Sequence, residues 1–140
     1  MADYFDYVEQ YRVASALLNE GAHIFWPRIQ TRGLLVELAL KAYLCSTGAL
    51  VEGHDLVVLA NKAVKNGLIL STEDWEQRIE RINEIYFKHH AWNAKYLSRY
   101  PMPDRGLGVW ITPGHAILDE MIGRIMQQAR TQWQDHEGAA

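Results

Sequence analysis

Residues 33–59, GLLVELALKAYLCSTGALVEGHDLVVL, constrain the fold more than any other stretch. The first half is apolar on nearly every helical face, and only Glu37 and Lys41 interrupt it, one turn apart. A helix that is hydrophobic all round must be buried on all sides. This one is therefore expected at the centre of a helical domain, and its two charges require an account. A glycine-bounded break follows, and His54-Asp55-Leu56 then opens a second apolar run.

The rest of the chain repeats apolar residues at helical spacing. Tyr4, Tyr7, Val8, Tyr11, Ala14, Leu17 and Leu18 form a first helix with Gly21 as its stop, and Asp3 and Asp6 sit where the helix dipole favours acids. The central helix is expected from near Arg28 to Thr47, ended by Gly48. A third begins at His54-Asp55 and stops at Asn66-Gly67. Ser71 with Asp74 resembles a capping box for a fourth, whose core face is Trp75, Ile79, Ile82, Tyr86 and Asn93, with periodicity to Arg99. After a Pro/Gly loop over 102–111, Thr112-Pro113 starts a fifth, with Ile117, Met121, Ile125 and Ala129 as its inner stripe and Leu118 and Ile122 beside it. Residues 134–140 read as a frayed tail. No strand is evident. The expected fold is one all-α domain, an antiparallel up-and-down bundle of about five helices joined by short connections.

At 140 residues the chain is long enough for one domain with a real core. Its net charge of −3 advertises no global nucleic-acid surface, so any such surface must be a local patch. Cys45 is the single cysteine and forms no intrachain disulfide. No secretory signal and no membrane span is evident, so a soluble, cytoplasmic protein is expected.

Each charged feature has a structural and a functional reading. Glu37 and Lys41 at i and i+4 form either a polar window on a buried helix or a pair held at the mouth of a ligand groove. His54-Asp55 either caps the third helix or turns His54 toward the groove that Lys41 faces. On the fourth helix, Arg78, Arg81, Lys88, Lys95 and Arg99 share a flank with Trp92. That flank is either a solvated face or a nucleic-acid surface that grips phosphates and stacks a base. His89 and His90 point about 100° apart on a helix and do not share one ion. No metal site, phosphate loop or nucleophile elbow is present in the sequence, and no cofactor is implied.

The segments Glu37-Leu38-Ala39-Leu40-Lys41, His54-Asp55-Leu56 with Leu59, and Arg99-Tyr100-Pro101 resemble, in order and distance, the HEPN domain family of bacteria, archaea and some eukaryotes. The resemblance spans Arg28 to Pro101. It implies a compact helical bundle that often forms a homodimer and works around nucleotides or RNA. It places Glu37, Lys41, His54, Asp55, Arg99 and Tyr100 around one groove. Some members are metal-independent RNases of toxin–antitoxin or defence systems, others partner small nucleotidyltransferases, and others are binding modules without catalysis. The RNases carry an Arg with a His about four to six residues on, a short pattern that also recurs by accident. Here that spacing occurs only at Arg130 and His136. The reading adopted is a non-catalytic module that binds a nucleotide, RNA or protein partner. Alternatives are an endoribonuclease using Arg130 and His136, and a structural subunit beside a nucleotidyltransferase, with Trp26, Trp92 and Trp110 as interface aromatics.

Overall fold

The computed structural model describes residues 2–19, 25–70, 75–87 and 115–138. These form five helices: α1 (Ala2–Asn19), α2 (Phe25–Ser46), α3 (Leu56–Lys65), α4 (Trp75–Tyr86) and α5 (His115–Gly138). No strand occurs among the described residues. The domain is an all-α bundle.

α2 packs against each of the other four helices. No residue from Arg28 to Thr47 is exposed, as its apolar sequence requires. Leu35, Val36, Ala39, Leu40, Tyr43 and Leu44 are fully enclosed. They meet Leu56, Leu59 and Ala63 of α3, Ile79 and Ile82 of α4, and Leu118, Ile122, Ile125 and Met126 of α5 in one continuous core. Each leucine, isoleucine, valine or methionine among them contributes roughly 1.5–3 kcal/mol when removed from water. α1 adds one fully buried apolar residue, Val8, and leaves Tyr7, Val13 and Leu17 exposed. Tyr4, Phe5 and Tyr11, partly buried, pack the same helix against the core.

The end of α2 and both ends of α3 follow their sequence signals, while α2 begins at Phe25, a little before Arg28. Gly48 at φ +77° ends α2, and the Ala49 N–H donates back to the Leu44 carbonyl at 3.0 Å. Asp55 caps α3, its side chain accepting from the N–H groups of Val57 at 3.1 Å and Val58 at 3.3 Å. Asn66-Gly67 ends α3, with Gly67 at φ +103°. The Tyr43 hydroxyl donates to the Asn66 carbonyl at 3.0 Å and fixes that end to α2.

Two expectations change. Ile117 does not belong to the inner stripe of α5; it is exposed, and Leu118, Ile122 and Met126 turn inward beside Met121, Ile125 and Ala129. The helix is rotated so that its larger apolar arc meets α2. The backbone of α5 also stays helical to Gly138, past Gln134. The Ser71 and Thr112-Pro113 caps, the 102–111 loop and Asn93 lie outside the described residues.

α1 and α5 are clasped by charge. Arg12 donates to both carboxylate oxygens of Asp119, at 2.9 and 3.2 Å. Arg130 donates to Glu9 at 3.0 Å, with its guanidinium 5.4 Å from the centroid of the Phe5 ring. Gln128 ties α5 to the α3–α4 connection by accepting from the Ile69 N–H and donating to its carbonyl, at 2.8 and 2.7 Å.

Candidate functional site

Glu37 sits in the most enclosed stretch of α2 and is only 4% exposed. A buried carboxylate is tolerated only when paired and hydrogen-bonded. Three donors from three parts of the fold meet it. The Lys41 ammonium, one turn on, lies 3.4 Å from Oε2. The Tyr86 hydroxyl of α4 donates to Oε1 at 3.1 Å. His54 Nδ1, from the α2–α3 connection, lies 2.9 Å from the same oxygen.

The backbone explains how Tyr86 reaches this acid. Gly33, Glu37 and Lys41 recur every four residues on α2 and so share one face. A Cβ at Gly33 would overlap the Tyr86 ring carbons and stand 2.8 Å from its Cβ. The missing side chain lets Tyr86, itself fully buried, lie on the α2 backbone and aim its hydroxyl one turn along at Glu37. A buried tyrosine hydroxyl needs a partner, and Glu37 is the acceptor within reach.

His54 is held from behind. Asn83 of α4 is 2% exposed. Its amide nitrogen donates to Asp55 Oδ1 at 2.9 Å, and its carbonyl oxygen accepts from the Leu56 N–H at 2.9 Å. Asp55 and Asn83 together lock the start of α3, which fixes the residue just before it. Asp55 thus positions the backbone that carries His54. His54 bonds the side-chain carboxylate of Glu37. A carboxylate oxygen accepts, so Nδ1 carries the proton of this bond.

Glu37 lies deep, Lys41 keeps 13% of its side chain exposed, and His54 keeps 45%. The result is a buried negative charge with two nitrogen donors arranged outward from it. The charge of Glu37 also reaches α1. The Tyr4 hydroxyl is held above its ordinary pKa by burial first, then by the electrostatic influence of Cys45 and Glu37. Chemically the cluster can orient an imidazole and present it, with an ammonium, to an anion.

The other expected site residues divide. Arg99, Tyr100, Lys88, Trp92, Lys95 and Trp110 lie outside the described residues. Arg81 is exposed on α4. Arg130 is engaged by Glu9 and Phe5. His136 stands six positions further along α5, which at about 100° per residue places the two positions about 120° apart on the helix. No group of three or more potential metal-binding side chains occurs among the described residues, and no helix there is long and apolar enough to cross a membrane.

Tyr86 and Asn83 are the members the sequence did not assign to the site. Tyr86 is legible only as a core position. Asn83 has a detectable signal: it is a polar residue four after Ile79 and directly after Ile82, so the apolar stripe of α4 carries an amide into the core. Compared with models of protein families, with curated proteins and with solved structures, the chain matches none.

Proposed function

We propose that the chain is a non-catalytic, HEPN-like helical module that binds the phosphate of a nucleotide or of RNA at the polar edge formed by His54 and Lys41. The single observation that carries this reading is the convergence of His54 and Lys41, from different segments, on the one buried carboxylate of α2. A purely structural pair is complete with Glu37 and Lys41. The added imidazole, half in solvent and fixed by a capped helix start, supports a surface arranged for a ligand. The sequence resemblance places Arg99 at the same groove and supplies the expected third cation. On this reading the module acts as a homodimer or beside a nucleotidyltransferase-type partner.

Titration with ATP and with a short single-stranded RNA at low salt tests the reading. Binding is expected to weaken steeply as salt rises, because phosphate contacts release counterions. His54→Ala and Lys41→Ala should each weaken it, and Lys41→Ala should lower the salt slope by about one. Failure of both probes to bind at low salt, or unchanged binding in both variants, would overturn it.

A further inference from the structure

A second feature, between α3 and α4, shares no residue with the Glu37 cluster. Val57 and Asn61 of α3 and Trp75, Glu76, Ile79 and Glu80 of α4 enclose a hollow of about 100 Å³. Ile79 is fully buried and forms its floor, and the half-buried Trp75 ring forms a wall. The Glu76 and Glu80 carboxylates stand on its rim. They are like charges at i and i+4, a spacing that costs a helix a few tenths of a kcal/mol. Neither is paired with a cation or hydrogen-bonded to another side chain among the described residues.

Size and chemistry together select the occupant. Small-molecule sites occupy roughly 300–1,000 Å³, so this hollow is too small for a nucleotide. It is several times larger than the roughly 10–15 Å³ needed for one water. That leaves the end of a single side chain. An aromatic face attracts a cation, and the planar guanidinium stacks on it better than an ammonium does. Two adjacent carboxylates match the fork of donors on the same group.

We propose that this hollow receives the side chain of an arginine carried by a partner polypeptide, stacked on Trp75 and flanked by Glu76 and Glu80. The assignment is independent of phosphate binding at His54. The net charge of −3 suits a basic partner segment.

The probe is an acetylated and amidated Gly-Arg-Gly peptide, with a citrulline analogue as its uncharged isostere. The readout is the indole N–H resonance of Trp75 in a nitrogen-labelled sample of the full chain, assigned by its loss in Trp75→Phe. The arginine peptide should shift that resonance saturably. Affinity should fall about tenfold or more with citrulline and in the Glu76→Gln/Glu80→Gln double variant, as loss of charge-assisted bonds requires. Both substitutions are on exposed positions, and an unchanged far-ultraviolet dichroism spectrum verifies the fold. No shift at millimolar arginine peptide, equal binding of the citrulline peptide, or undiminished binding by the double variant would each overturn the proposal.

Discussion

The carboxylates of Glu37 and Asp119 each take a hydrogen bond at 2.9 Å, one from His54 and one from Arg12, yet they stand in different surroundings. Glu37 is enclosed by α2, α4 and the approach to α3, with 5% of its side chain exposed. Asp119 lies on the α1–α5 seam with 42% exposed, and Arg12 beside it keeps 25%. The same bond has a different worth in the two places. When the partner of an enclosed group is removed, the group is stranded; at the seam, water replaces the partner. Distances alone would rank the two clusters as equals. Burial separates them, and it places the buried cluster in the folding core and the seam at the periphery.

The sharpest way to break this contrast is Glu37→Ala. Removing one member of a buried ion pair costs about 3–5 kcal/mol. Lys41 can extend its stem to water, so the lower figure, about 3 kcal/mol, is expected here. The Tyr86 hydroxyl has no such escape, because Tyr86 is fully buried. Urea denaturation reads this as a fall in midpoint at constant slope. Glu37→Gln keeps an acceptor for Tyr86 and should lose clearly less. A loss below about 1 kcal/mol for Glu37→Ala would mean that the cluster is solvated like the seam, since surface pairs lie in that range.

Gly33→Ala sharpens the comparison, because local propensity and packing pull in opposite directions. Alanine in a helix interior gains about 1 kcal/mol over glycine. The new methyl meets the Cβ and ring of Tyr86, not the far end of a flexible chain, so α4 must move. Overpacking of this kind costs about 1–3 kcal/mol. Displacing the ring also withdraws the hydroxyl from Glu37, a bond of about 1 kcal/mol. The net expectation is destabilisation by about 1–2 kcal/mol, measured in the same urea titration. A more stable Gly33→Ala protein would show that Tyr86 does not need its seat on α2.

The two clusters were unequally legible in the sequence. The apolar run from Gly33 to Leu44, interrupted only by Glu37 and Lys41, located the central helix, because no other placement hides all its faces. Asp55 and Gly67 were legible as helix ends, since capping is a local matter of hydrogen bonds and φ. Glu37 and Lys41 showed as a pair because i,i+4 spacing is local too. That His54 faces the groove of Lys41 was one of two readings left open, and its bond to Glu37 was not foreseen, because both depend on how the connection between Gly48 and Asp55 turns. Tyr86 and Asn83 were missed as site members because an apolar stripe gives burial but not the aim of a hydroxyl or amide. Pairing of Arg130 with Glu9, across 121 residues of sequence, is a product of tertiary packing that no local pattern encodes. Ile117 stood in the inner stripe by periodicity, yet faces solvent, because the neighbour sets a helix's rotation.

The seam itself gives the smallest effect and the clearest pH signature. Asp119 is held below the ordinary carboxylate pKa, chiefly by its hydrogen bond from Arg12, with the charges of Arg12 and His115 adding to it against burial. A group whose pKa is depressed on folding stabilises the folded state above its unfolded pKa, near 3.8. As pH falls below that value the unfolded chain takes up the proton first, and the contribution disappears as pH passes through the lower folded value. Asp119→Asn should therefore lose about 0.2–1 kcal/mol at neutral pH, the range of exposed pairs, and the deficit should vanish under strong acid. Added salt should shrink it further, because screening acts on exposed charge. Thermal denaturation of both proteins from neutral pH down to acid reads the difference. A deficit unchanged by acid and salt would mean that Asp119 acts on the seam through packing and not through charge.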